Sequence, residues 1–345
     1  MTEKKKIVFI INPNSGTQTK KEIPGLIATC LDKDKFDYDV RFTEYAGHAM
    51  EMCRQCVADG VDIVAAVGGD GTINEVARSL VHTGTALAII PCGSGNGLAR
   101  HLGIPLDVRR AIKVINHDNA EQLDYGVINS LPFFCTCGMG FDAFISYKFS
   151  TAGKRGPITY LENVLKEGLK YKPEIYEVTD DTGTHKYNAF LIACANASQY
   201  GNNAYIAPKA TMTDGLMDVI IMEPFDVLEA PQISIDMFNK TLDKNSKIKT
   251  FKAKSIHIQR TSPGAIHFDG DPIMTGKDID VHIEPKGIKI MTNPDITEVE
   301  LQPNAILNVF SDLFNNINIV RGDIEKQGRR IQALNKVLLK KLTNI

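Results

Sequence analysis

Ile63-Val64-Ala65-Ala66-Val67-Gly68-Gly69-Asp70-Gly71-Thr72 is an unbroken apolar run that turns through glycines into a helical pattern. A buried strand that ends this way offers free backbone N–H groups at the start of the helix, which is a site for phosphate. Glycine is expected there for two reasons: the turn visits positive φ, and a ligand must come close to the backbone. The arrangement recurs in Leu87-Ala88-Ile89-Ile90-Pro91-Cys92 followed by Gly93-Ser94-Gly95-Asn96-Gly97. A third strand end reads Asn12-Pro13-Asn14-Ser15-Gly16. Three loops of glycines, hydroxyls and amides at strand ends point to a polyphosphate site.

Around these loops the chain alternates strand and helix. Strands are expected at Ile7–Ile11, Tyr38–Phe42, 63–67 and 86–90. Helices are expected from Ile23 to Leu31, from Ala46 to Ala58, and over 72–81 and 97–102. The strands are apolar throughout, which implies a parallel sheet covered on both faces, a doubly wound α/β domain over 1–124. Past Leu123 the pattern becomes short and β-rich: Phe133–Cys137, Ile175–Thr179, Ala189–Ala195, Met217–Met222, Ile256–Gln259 and Asp280–Lys289. With one helical stretch near 158–170, this reads as an antiparallel β-sandwich domain over 125–290, with the α/β domain completed by residues after 290. A helical extension follows over 296–345, with apolar stripes at Ile306, Val309, Phe310, Leu313 and Ile317 and at Ile331, Leu334, Leu338 and Leu342.

The 345 residues suit two domains, and a net charge of −2 gives no basic field for nucleic acid. The start Met1-Thr2-Glu3-Lys4-Lys5-Lys6 leads straight into a strand, and seven cysteines in mostly apolar segments fit reduced thiols, so a cytoplasmic protein is expected. Cys53 and Cys56 fall at helical spacing with Ala49, Met52 and Val57, which places both thiols on a buried face. No Gly-x-x-x-x-Gly-Lys-Ser/Thr loop occurs, so a P-loop enzyme is excluded. Asp70 then matters. A carboxylate at the mouth of a phosphate loop repels phosphate unless it handles Mg²⁺ or a proton, and it can also cap the helix starting near Thr72.

Gly68-Gly69-Asp70-Gly71-Thr72-Ile73-Asn74-Glu75, followed by Pro91-Cys92-Gly93-Ser94-Gly95-Asn96-Gly97-Leu98-Ala99, resembles the diacylglycerol kinase catalytic-domain family. That family includes bacterial lipid kinases, sphingosine kinases and ceramide kinases. Asn12 to Gly16, Thr43 with Gly47-His48-Ala49, Thr213-Asp214-Gly215-Leu216-Met217-Asp218 and Phe268-Asp269-Gly270-Asp271 extend the resemblance in order over about 1–292.

The resemblance implies ATP in the α/β domain and phosphorylation of a lipid's primary hydroxyl in the cleft beside the sandwich. Its nucleotide contacts fall on Asn12, Thr43, Gly68, Gly69, Asp70, Gly71, Thr72, Asn74 and Ser94. It puts Mg²⁺ at Asp214, with the backbone of Thr211 and Leu216, and a general base at Asp271, with Asp70 as the other candidate. Many bacterial relatives carry Asn-Asp where this chain has Asn96-Gly97, and the Gly-Ser-Gly-Asn form is closer to sphingosine and ceramide kinases. The substrate class is therefore a diacylglycerol or a sphingoid base. An NAD kinase-type enzyme and a non-catalytic lipid binder of the same fold are the alternatives. In the last helix pattern Lys326, Arg329, Arg330, Lys336, Lys340 and Lys341 surround the apolar stripe. Such a helix can lie on an anionic membrane; packing on the core or pairing in a homodimer are the other readings.

Overall fold

The computed structural model describes residues 3–16, 20–152, 171–226 and 228–295, with the side chains of 149–152 excepted. The expected helical stretch near 158–170 and the extension over 296–345 lie outside the described residues.

Four strands and three helices open the chain in strict alternation: β1 (Lys5–Ile11), α1 (Ile23–Cys30), β2 (Phe36–Phe42), α2 (His48–Ala58), β3 (Ile63–Gly68), α3 (Asp70–Leu80) and β4 (Ala86–Pro91). The strands pair in parallel in the order β2-β1-β3-β4. Every residue of β3 and of β4 is buried, as a strand covered on both faces must be. Cys53 and Cys56 are both fully buried in this core. Two further helices, α4 (Gly97–His101) and α5 (Val108–Asn116), follow β4. Periodicity missed α5, whose start is marked by Asp107 accepting the Arg110 N–H at 2.9 Å.

The second half begins with β5 (Ala120–Ile128), β6 (Leu131–Phe133), β7 (Thr136–Gly140) and α6 (Phe141–Ala152). It continues with β8 (Glu174–Asp180), β9 (Gly183–Ala189), β10 (Leu191–Ala195), β11 (Met217–Met222) and α7 (Ala230–Phe238). It ends with β12 (Ile248–Ala253), β13 (Ser255–Arg260), β14 (Gly264–Phe268), β15 (Asp271–Thr275) and β16 (Asp278–Met291). One antiparallel sheet runs β12-β11-β10-β7-β14-β15. It faces strands β5, β6, β8, β13 and β16 across a core that includes Phe133, Met139, Tyr176, Ile192, Val219, Ile258, Ile266 and Val281. This is a β-sandwich.

The long strand β16 joins the halves. Its first part pairs antiparallel with β13, and near its end Ile290 pairs in parallel with Leu87 of β4. The expected single strand over Phe133–Cys137 is two strands, β6 and β7. The interruption has a definite cause: a carboxylate, Asp269, takes the N–H groups of Phe134, Cys135 and Thr136.

Candidate active site

In a doubly wound sheet the ligand crevice lies beyond the carboxyl ends of the strands, where the strand order reverses. Here that is at the ends of β1 and β3, and the loop after β4 joins them. Asn12 follows β1. Its amide nitrogen donates to Thr72 Oγ1 at 3.0 Å, and its Oδ1 accepts the Asn14 N–H at 2.9 Å. Thr43 is buried after β2, with its N–H on the Ile11 carbonyl at 2.9 Å.

The glycines meet one another. A Cβ on Gly93 would stand 2.6 Å from Gly69 Cα, and a Cβ on Gly16 would run into the Cys92 carbonyl oxygen. The three loops therefore pack backbone on backbone. The expectation of positive φ in the two main loops is corrected accordingly. Gly69 is extended at φ −90°, and the left-handed residue of the second loop is Asn96, at φ 53°. Close approach, not φ, is what requires glycine at 69 and 93.

Asp70 opens α3, but its carboxylate serves the neighbouring helix. Oδ2 accepts the Asn96 N–H at 2.9 Å and Oδ1 accepts the Gly97 N–H at 2.8 Å. The Asn96 side chain closes the same loop by bonding Gly93 N–H and C=O at 2.9 and 2.8 Å. Gly71 and Ser94 are exposed, while Thr72 and Asn74 are buried beneath them. Glu75 Oε1 accepts the Gly47 N–H at 3.0 Å, which fixes the turn into α2. Sequence reasoning missed Lys20. It is 4% exposed and its ammonium donates to the Ser15 carbonyl, so a buried positive charge stands beside the first loop.

Asp271 begins β15, next to the Asp269-Gly270 turn, where both residues are left-handed at φ 52° and 87°. Its side chain is 53% exposed and its Oδ2 accepts from Arg78 of α3 at 3.0 Å. The Arg78 guanidinium also lies 4.6 Å over the Phe268 ring. One helix thus carries Asp70 at its mouth and the partner of Asp271 two turns later, about 12 Å along the axis. Asp269 anchors the turn, with Phe134, Cys135 and Thr136 donating to it at 2.7, 2.7 and 3.0 Å.

Burial lifts the Asp269 carboxyl to about 6, with the three N–H donors and Arg78 pulling the other way. A raised carboxyl stabilises the fold most below its unfolded value near 4, and that contribution is lost as pH rises through about 6. Asp269→Asn is expected to be less stable than wild type, with the gap narrowing from pH 4 to pH 7 in urea titrations. A gap that widened with pH would mean that the donors outweigh burial.

Thr211, Asp214 and Leu216 belong to a separate loop. Asp124, 2% exposed and not singled out by sequence, fastens it by accepting the Gly215 N–H at 2.8 Å and the Lys286 N–H at 2.7 Å. Asp214 accepts the Leu216 N–H at 3.1 Å and the Lys252 ammonium at 2.6 Å, and Asp218 lies 3.4 Å from the same nitrogen. Two carboxylates already gather a cation here. Among the described residues no three His, Cys, Asp or Glu side chains gather as a metal cage. A Mg²⁺ ion, which keeps several waters and needs only one or two carboxylates, would have to displace the Lys252 ammonium from Asp214.

A family model described as the diacylglycerol kinase catalytic domain matches residues 6–128, and one described as the YegS C-terminal NAD kinase beta sandwich-like domain matches 136–292. The chain belongs to the diacylglycerol kinase catalytic-domain family. Among lipid-kinase relatives, it is 27% identical over 273 residues to a diacylglycerol kinase of Staphylococcus saprophyticus, covering 78% of this chain and 89% of that one. Against a Klebsiella pneumoniae protein named "Probable lipid kinase YegS-like", the identity is 27% over 272 residues, covering 77% and 89%. A crystal structure of a diacylglycerol kinase from Bacillus anthracis superposes with a TM-score of 0.67 at 23% identity, covering 86% of this chain and all of the other. The lipid-kinase fold accounts for both halves of the molecule.

Proposed function

We propose that this protein transfers the γ-phosphoryl group of ATP to the primary hydroxyl of a lipid, a diacylglycerol or a sphingoid base. The observation that carries the proposal is the meeting of three glycine loops at the ends of β1, β3 and β4, with Asp271 held on the helix that starts in one of them. The N–H groups at the start of α3 and those of Ser94 and Gly95, the two in the Gly93–Gly97 loop not bonded to Asp70 or Asn96, cradle the phosphates, and Lys20 supplies positive charge beside them. Asp70 keeps the second loop in register. Asn12, Thr43, Gly68, Gly69, Gly71, Thr72, Asn74 and Ser94 form the walls of the nucleotide site.

Asp271 is the general base. Arg78 holds its Oδ2, and the carboxylate takes the hydroxyl proton as the lipid oxygen attacks phosphorus. The new O–P bond forms while the bond to the β-phosphate oxygen breaks, and ADP leaves with that electron pair. Asp214, with the carbonyls of Thr211 and Leu216, would hold Mg²⁺, which supplies positive charge against the polyphosphate. The lipid comes from a membrane that the enzyme touches peripherally; among the described residues no helix is long and apolar enough to cross a bilayer.

The test is γ-³²P-ATP with a total lipid extract and Mg²⁺. Label is expected in an organic-phase product whose head group is a phosphomonoester. Label on NAD instead, or on nothing, removes the proposal.

A further inference from the structure

Behind the Asp269-Gly270 turn lies a buried polar cluster that phosphoryl transfer does not account for. The His267 and Asp142 side chains are 3% and 13% exposed, and His267 Nε2 is 3.0 Å from Asp142 Oδ2. The Tyr200 hydroxyl donates to the same oxygen at 3.1 Å, and Asp142 Oδ1 accepts the Ala143 N–H at 2.7 Å. On its other side His267 Nδ1 accepts the Gly270 N–H at 3.4 Å. Those partners assign the tautomer: the proton is on Nε2 and the lone pair is on Nδ1. A Cβ at Gly138 would stand 2.6 Å from Asp142 Oδ2 and 3.0 Å from His267 Nε2, so glycine there makes room for the pair.

The far end of the cluster touches the second glycine loop. A Cβ at Gly97 would lie 3.3 Å from the Tyr200 carbonyl oxygen. The next residues continue the contact: Asn202 donates its N–H to the Gly95 carbonyl at 3.0 Å. A continuous path therefore runs from the Gly95–Gly97 loop through Tyr200, Asp142 and His267 to the Gly270 N–H, one residue before Asp271. Packing alone does not require it, since three apolar side chains fill such a volume without a buried carboxylate to solvate.

The geometry points to a positioning relay, in which Tyr200, Asp142 and His267 hold the Asp269-Gly270-Asp271 turn in a set relation to the second nucleotide loop. It rests on Asp271 being the general base. The turn is tight and its outer residue is exposed, so a small tilt of Gly270 swings the Asp271 carboxylate. A displacement of about 1 Å at a reacting group costs on the order of a hundredfold in rate.

The test compares Tyr200→Phe and His267→Gln, each alone and combined with Asp271→Asn, using γ-³²P-ATP and mixed micelles of a bacterial total lipid extract. Alone, Tyr200→Phe is expected to lower kcat about tenfold and His267→Gln about a hundredfold, with the KM for ATP within about twofold of wild type. In the Asp271→Asn background neither is expected to lower the residual rate further, because the group being positioned is gone. Equal fold losses in both backgrounds would mean general damage to the fold and overturn the relay. Unchanged kcat in both single variants, beside a collapsed Asp271→Asn, overturns the relay and leaves the base in place. Full turnover by Asp271→Asn removes the base and the relay with it. Should His267→Gln fail to fold, Tyr200→Phe, which deletes one oxygen, makes the same comparison.

Discussion

Asp271→Asn is expected to lower kcat by about two to four orders of magnitude while ATP binds with nearly wild-type affinity. Asparagine keeps the shape of the side chain and can still accept from Arg78 through its carbonyl oxygen, so the turn and α3 keep their contact. What it lacks is a basic lone pair. The nucleotide loops lie at the other end of α3, which is why ATP affinity should not follow kcat. Calorimetric titration with ATP and initial-rate measurements on the same preparation separate the two. Near-wild-type turnover would transfer the role to Asp70, whose two oxygens would then have to release the Asn96 and Gly97 N–H groups during the reaction.

Gly93→Ala and Gly71→Ala form a contrasting pair. At position 93 a methyl group meets Gly69 Cα at 2.6 Å and Asn96 Oδ1 at 3.0 Å. The first obstacle is backbone with no rotamer to adopt, so the two loops must separate. Overpacking of this kind costs about 1–3 kcal/mol. Gly93→Ala is expected to melt earlier and to lose ATP affinity by more than about a hundredfold, some 3 kcal/mol of binding. At position 71 nothing lies within 4 Å of an added Cβ. Gly71→Ala should melt at or slightly above the wild-type temperature, since alanine favours the first turn of a helix. Its ATP affinity should still fall, about tenfold, because the methyl group occupies the approach to the α3 N-terminus. Unchanged ATP affinity in Gly71→Ala would show that phosphate does not sit there.

The contrast between these glycines marks how far the sequence could be read. Apolar runs ending in glycine located β3 and β4, and apolar spacing located α1, α2 and α3, because those signals are local and the sheet buries whole strands. The same loops did not reveal which glycines were needed for backbone contact, since Gly16, Gly69 and Gly93 meet only after three strands align. β12, β14 and β15 escaped notice because each is only partly buried and carries mixed polar residues. Arg78, Asp124 and Asp142 were silent for a different reason. Their partners lie far along the chain, from Tyr200 to Lys286, and no periodicity records such a pairing. The motif residues themselves were plain in the sequence; the side chains that hold them in place were not.

The strand β16 has a consequence for how the chain comes off the ribosome. The sheet of the nucleotide half is left with an open edge at β4 until Ile290 arrives to pair with Leu87, some two hundred residues later in synthesis. Until then an apolar parallel edge is exposed, the kind of surface that invites pairing with a neighbouring chain. So long a wait for a closing strand raises the contact order and slows folding. A fragment cut after the last nucleotide loop should therefore aggregate as it is made, whereas a chain extended through residue 291 can seal its own edge.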